Sequence, residues 1–272
     1  MPRWADHRER ETAGVSLDPV PWYHTIELPT GPTPGEYDLR GSVGKLPFPS
    51  LTGKRCLDVG THDGFWAFEM ERRKATEVVA IDISDPGDID WPEPRPELGP
   101  ELEEFLSQRK QKFQIAHDAL ASRVVHRYLS VYDLDLPTIG EFDFVHIGSL
   151  LHHLRDPVGA LMAIRRVTRG ELLVSATFSI SKSILFPRAP LAVISELPGQ
   201  PFWQVPNLAG LRRFIESAGF EVVRRGPIHL QMRGPGVARP RSPRTTLRAI
   251  PGELLFRIGV PHVGMLAHPV GR

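Results

Sequence analysis

Short apolar runs recur along the chain at 54–59, 78–82, 124–131, 142–147 and 171–177, each bounded by Gly, Pro or charged residues. Runs that are apolar at consecutive positions predict strands buried on both faces, as in a parallel sheet covered by helices. Between them the period changes. Residues 101–121 place Leu102, Phe105, Leu106, Phe113, Ala116 and Leu120 largely on one helical face, after Gly99 and Pro100. Asp156 and Pro157 read as N-cap and first residue of a helix carrying Val158, Leu161 and Met162. Asn207 caps another, presenting Leu208, Leu211, Phe214, Ile215 and Ala218, which Gly219 ends. Phe220–Arg224 predicts a sixth strand and residues 261–268 a last one.

This alternation predicts an α/β fold with a Rossmann-like sheet of seven strands and helices on both faces. Residues 1–50, rich in Pro and Gly, read as an N-terminal extension with one or two short helices. Trp22, Tyr23, Ile26, Leu28 and Tyr37 would anchor it on the core formed by residues 51–272. Two Pro-rich stretches, 84–100 and 226–258, read as insertions serving as lids.

Composition narrows the function classes. The 272 residues carry a net charge of +1, which argues against general attraction to nucleic acid. Cys56 is the single cysteine, so neither an internal disulfide nor a multi-cysteine metal site can form. No apolar run approaches the ~20 residues that span a bilayer, and the first residues lack the apolar core of a signal peptide. A soluble, cytoplasmic protein without membrane partners is expected.

The chemistry concentrates at Leu57-Asp58-Val59-Gly60-Thr61-His62-Asp63-Gly64-Phe65-Trp66, and at Asp82, twenty-two residues after Gly60. Strand, glycine turn, helix, strand and acid form a site for a nucleoside-bearing cofactor. Glycine lets the backbone approach the ligand, and the acid accepts from ribose hydroxyls. An ordinary strand-to-helix turn with a solvated acid is the plainer reading, and the same pattern serves NAD and FAD.

With Ala80-Ile81-Asp82, Phe142-Asp143-Phe144-Val145-His146-Ile147-Gly148 and Leu150-Leu151-His152-His153-Leu154-Arg155-Asp156-Pro157, the chain resembles the class I S-adenosylmethionine-dependent methyltransferases over roughly residues 50–225. Trp22-Tyr23-His24-Thr25-Ile26, Thr33-Pro34-Gly35 and Asp63-Gly64-Phe65-Trp66 are similar to a narrower group related to the tRNA wobble-uridine carboxymethyltransferases. The resemblance implies a last strand that runs antiparallel and S-adenosylmethionine as cofactor. It implies a loop through Gly60, Thr61, His62 and Gly64 beneath the methionine and ribose, with Asp58 near the amino group. Asp82 would take the ribose, and Ser130, Val131 and Tyr132 would surround the adenine, with Gly148 completing the site. Two positions differ from the family: His62 replaces the loop's middle glycine, and Ser130 replaces an acid that often meets the adenine amine.

A hydroxyl acceptor must lose its proton, so a histidine base is sought on the acceptor side. His146 near the end of the fourth strand, and His152 and His153 after it, are the candidates; each is alternatively a packed core residue. His24 and Trp203 could contact the acceptor, although a surface histidine and a packed loop aromatic are the plain readings. Without acids at ligand spacing, three histidines do not make a metal site. Arg239, Arg241, Arg244 and Arg248 form either a solvated loop or a face for a phosphate-bearing substrate. The expected reaction is methyl transfer to an oxygen or nitrogen of a small molecule, such as a secondary metabolite or sugar. An RNA modifier, a non-catalytic cofactor-binding subunit and an NAD enzyme are the rivals.

Overall fold

The structure is a computed structural model, and it describes residues 22–95, 97, 99–194, 201–237 and 259–271. The basic run at 239–248 and most of the 226–258 insertion lie outside the described residues. The first strands are β1 (Trp22–His24), β2 (Glu27–Leu28), β3 (Gly31–Pro32), β4 (Gly35–Asp38) and β5 (Arg55–Val59). They are followed by α1 (Phe65–Arg72), β6 (Glu77–Asp82), α2 (Pro100–Ala119), β7 (Val125–Tyr128), α3 (Leu136–Ile139) and β8 (Phe142–Gly148). Then come α4 (Pro157–Val167), β9 (Thr168–Thr177), α5 (Ile180–Leu185), β10 (Ala192–Ile194) and β11 (Gln204–Pro206). The chain closes with α6 (Leu208–Ser217), β12 (Phe220–Arg225), β13 (His229–Arg233) and β14 (Gly259–Pro269).

Strands β7, β6, β5, β8 and β9 lie side by side in that order and run parallel. β14 joins β9 antiparallel, and β12 joins β14. The order reverses between β6 and β8, on either side of β5. An open parallel sheet has a crevice at such a reversal, beyond the carboxyl ends of its strands.

Alternation along β5 and β8 sends side chains to two cores. Leu57, Val59, Val145 and Ile147 pack with Leu161 and Ile164 of α4 and with Leu211 and Ile215 of α6. Cys56 and Phe144 pack on the opposite face with Trp66 and Met70 of α1 and with Phe113 and Ala116 of α2. Both faces are therefore dry, which is why these strands read as continuous apolar runs. The predicted caps form: Asp156 accepts from the Gly159 N–H at 2.7 Å and Asn207 from that of Gly210 at 2.7 Å. The predicted strand 124–131 stops at Tyr128. Ser130 turns its hydroxyl to the Tyr132 N–H and caps a 3₁₀ turn over Val131–Asp133.

The sheet is larger than the seven strands expected, with ten among the described residues. β14 is eleven residues long, and its outer edge is shared. Its carboxyl half carries β12, with Phe220 opposite Pro269. Its amino half carries β13, with His229 opposite His262. β13 then pairs with β4, and β4 with β1. The short helices expected before residue 50 are absent among the described residues, where the chain forms strands and turns instead. Gly35 makes this arrangement possible. A Cβ there would stand 2.1 Å from the backbone carbon of His24, inside any allowed contact.

Candidate functional site

A cavity of about 300 Å³ opens at the carboxyl ends of β5, β6, β8 and β9, roofed in part by α2 and by β13. Its first wall is the loop between β5 and α1. Gly60 and Gly64 have φ of +74° and +95°, and a Cβ on Gly64 would come 2.4 Å from the Phe68 ring. His62 also adopts a left-handed conformation, φ +55°, at the position where glycine was expected. Its ring stacks on Tyr23, with centroids 4.2 Å apart. Burial holds the His62 imidazole well below its ordinary pKa, and its Nδ1 has no partner among the described residues.

Asp82 lines the cavity at the end of β6. Its Oδ2 accepts from the His62 N–H at 2.8 Å, and its Oδ1 from the Ile83 N–H at 2.8 Å and the Arg109 guanidinium at 2.9 Å. Burial raises the carboxyl pKa, and the Arg109 charge opposes that shift. Arg109, from α2, belongs to no motif and was not foreseen; it follows from the helix lying across the tip of β6. Ser130, Val131 and Tyr132 line the adjoining wall, as does Gly148.

Tyr132 is tied further out. Its hydroxyl donates to Asp90 Oδ2 at 2.6 Å and accepts from the Asp156 N–H at 3.1 Å. Asp90 also accepts the Arg155 N–H at 2.9 Å through its carboxylate, and the Trp203 indole N–H at 2.9 Å through its carbonyl. Trp203 therefore does not line the cavity as expected. Its polar edge is occupied in fastening the 201–206 segment to the segment after β6, and Pro201 reaches the cavity instead.

Other expected residues lie behind the wall. Asp58, Thr61, Gly64, His146 and His152 do not face the cavity. His146, expected as a base in direct contact with the acceptor, has 0% exposure. It lies within the sheet between β5 and β9, with Nδ1 3.0 Å from Asp58 Oδ1 and Nε2 3.0 Å from Ser175 Oγ. Asp58, expected near the cofactor's amino group, meets this ring through Oδ1 and does not line the cavity. His152 packs against Phe202, rings 5.2 Å apart, and burial depresses its pKa. His153 does line the cavity, but its Nδ1–H donates to the Pro201 carbonyl at 2.7 Å and burial lowers its pKa. His24 also reaches the cavity, with Nδ1–H bonded to Asp63 Oδ1 at 2.5 Å.

The wall formed by the ends of β8 and β9 and by β13 contains residues that sequence reasoning missed: Ser149, Ser175, His229 and Gln231. Ser149 has φ +51°, and its N–H donates to the Ser175 carbonyl at 2.8 Å. Its hydroxyl donates to Nε2 of His262 at 2.8 Å, because Nδ1 of that ring faces the Val260 carbonyl at 3.1 Å and carries the hydrogen. Burial brings the His262 pKa down to about 4. Single serines at strand ends have no spacing signal; the register of Gly148 opposite Ser175 brings these two together. No group of three or more metal-ligating side chains occurs among the described residues.

The charges on this surface are mostly acidic. Among the described lining residues the acids are Asp82, Asp88 and Asp90, and Arg109, bonded to Asp82, is the one arginine or lysine.

Residues 35–225 match the family described as a methyltransferase domain. The chain is 27% identical over 180 residues to the tRNA U34 carboxymethyltransferase of Campylobacter hominis, covering 64% of this chain and 53% of that protein. Against the namesake from Ectopseudomonas mendocina the identity is 28% over 182 residues, with 65% and 48% covered. The chain thus spans about half the length of the curated relatives it matches. Two solved structures share the fold. One is the Burkholderia thailandensis 1,6-didemethyltoxoflavin-N1-methyltransferase, with TM-score 0.53, 16% identity, and 86% and 78% of the two chains covered. The other is the N-terminal domain of EvdMO1, with TM-score 0.52, 17% identity and 97% of each chain covered.

Proposed function

The chain belongs to the methyltransferase domain family, and on that premise we propose that it transfers the methyl group of S-adenosylmethionine to an oxygen or nitrogen of a small molecule, such as a secondary metabolite or a sugar. One observation carries this reading. A single cavity runs from Gly60 and Asp82, on the side that would take a nucleoside, to Ser149, Ser175 and Gln231, on the side that would take an acceptor.

The residues present suit the donor. Gly60 exposes backbone to the cavity, Asp82 offers ribose hydroxyls a carboxylate, and Ser130 and Val131 border the space for an adenine. His62 Nδ1, buried and without a partner among the described residues, adds an unmet polar group to the same loop. The donor supplies a sulfonium carbon open to in-line attack. The chain's contribution is to exclude water, orient the acceptor against that carbon and receive the acceptor's proton.

The acidic lining supports a small acceptor over a polynucleotide. Three carboxylates against one guanidinium repel a phosphate backbone, whose binding rests on lysine and arginine. The relatives' names favour tRNA as a second reading. Calorimetry with S-adenosylmethionine and NAD, followed by labelled methyl transfer to bulk tRNA and to a panel of hydroxylated small molecules, tests both. Binding of NAD alone rejects the methyltransferase reading, and label incorporated only into tRNA rejects the small acceptor.

A further inference from the structure

We propose that Ser175, His146 and Asp58 form a proton relay that receives the proton of a hydroxyl acceptor, Ser175 being the member that touches it. The inference rests on the reading of the cavity as a methyl-transfer site and adds how the acceptor is activated.

The geometry of the three residues is specific. An ionised carboxylate only accepts, so His146 Nδ1 carries a hydrogen and gives it to Asp58 Oδ1 at 3.0 Å. Nε2 of the neutral ring is then an acceptor, and the Ser175 hydroxyl donates to it at 3.0 Å. Ser175 lines the cavity, whereas His146 and Asp58 are sealed behind it. Asp58 Oδ2 is buried and has no partner among the described residues, so none of them supplies the carboxylate with a second donor. Asp58 is the charged group bonded to the ring, whose other contacts are Trp66 at 5.1 Å and Phe48 at 6.0 Å.

A purely structural role leaves part of this arrangement unexplained. A sealed carboxylate and imidazole between two strands of a dry sheet cost more than an apolar pair would. Gly148 adds a second observation. A Cβ at this position would stand 2.7 Å from His146 Cε1 and 3.3 Å from Ser175 Oγ. Glycine here keeps that side of the serine clear, and Gly148 itself lines the cavity.

The step balances. As the acceptor oxygen bonds to the methyl carbon, the carbon–sulfur pair returns to sulfur and one positive charge is lost there. The acceptor's proton passes to Ser175 Oγ while the serine's own proton passes to His146 Nε2. The positive charge thus reappears on an imidazolium held by Asp58. His146 and Asp58 act through the serine and are positioning residues; Ser175 is the catalytic one.

The test needs no acceptor. S175C puts a thiol where the hydroxyl stands, and a ring able to take the proton converts it to a thiolate. Alkylation by iodoacetamide, followed by mass spectrometry across pH 5–9, reads this directly. Native Cys56 is buried, with its thiol pushed up to about 12, and C56A removes any background. The relay predicts half-maximal alkylation below about pH 7.5, and at pH 6.5 a rate roughly tenfold above that of S175C/H146N. D58N in the S175C background moves the midpoint toward that of an ordinary thiol.

An ordinary profile near pH 8.5 that ignores H146N, or a thiol that iodoacetamide cannot reach, overturns the proposal. If H146N does not fold, the midpoint of S175C alone decides. S-adenosylhomocysteine binding to the unaltered chain tests the donor site separately. An acidic thiol with no nucleoside binding would leave the relay and remove methyl transfer.

Discussion

Tyr23 and His62 stack across the gap between β1 and the β5–α1 loop, with ring centroids 4.2 Å apart and planes inclined by 21°. The contact holds a left-handed, non-glycine residue at the tip of the loop and closes one end of the cavity with two aromatic faces. An L-residue at that φ costs about 1–2 kcal/mol, and an aromatic pair returns about 0.5–1.5 kcal/mol beyond its burial.

H62A keeps the strain and loses the stacking, whereas H62G loses the stacking and relieves the strain. Urea unfolding should therefore rank H62G above H62A by about 1 kcal/mol. Equal midpoints for the two variants would show that φ at this position costs nothing.

Arg109 and Asp82 form a pair that calorimetry can dissect. D82A should weaken S-adenosylhomocysteine binding by roughly 1–3 kcal/mol through loss of charged hydrogen bonds. Because Arg109 bonds the same carboxylate, R109A and D82A should be non-additive, with a coupling of about 0.5–3 kcal/mol in the double-mutant cycle. Unchanged affinity in D82A would remove it from the donor site.

His262 makes stability depend on pH. Its folded pKa is about 4, below the unfolded value, so the unfolded chain binds more protons between the two. The contribution of its neutral burial is complete above about pH 6.5 and is lost as pH falls toward 4. His126, also near 4, acts in the same direction. Urea midpoints should fall between pH 7 and pH 4.5, and H262Q should flatten that slope. A midpoint that stays level in the native chain would contradict the neutral, buried ring.

Asp90 fastens three segments, through its carboxylate to Tyr132 and the Arg155 N–H and through its backbone carbonyl to Trp203, so D90A removes the first two contacts and keeps the third. W203F, which removes the indole N–H together with part of the ring, should lower stability by at least about 1 kcal/mol, and D90A by about 1–3 kcal/mol. Thermal unfolding measures both.

The central parallel strands were legible because burial on both faces removes polar residues from them, leaving β5, β6, β8 and β9 as apolar runs. β13 was hidden for the opposite reason. Its inward positions, His229 and Gln231, are polar because they face a cavity rather than a core, so the strand read as part of a lid. The glycine loop and Asp82 announced themselves by order along the chain. Ser149, Ser175 and Arg109 are single polar residues whose meeting depends on strand register and on where α2 crosses. His146 was visible as a histidine at a strand end, but its burial follows from the neighbours across β5 and β9.

The divided outer edge of β14 has a consequence for how such a protein changes. Residues 229–233 shape the far wall of the cavity, yet they hang on a strand that is already anchored by β9 and β12. Substitution at His229 or Gln231 can therefore redraw which acceptor is admitted while the parallel ladder that cradles the donor stays intact. On the proposed reading, the residues that would select the acceptor and the strands that hold the fold together lie on separate stretches of the polypeptide.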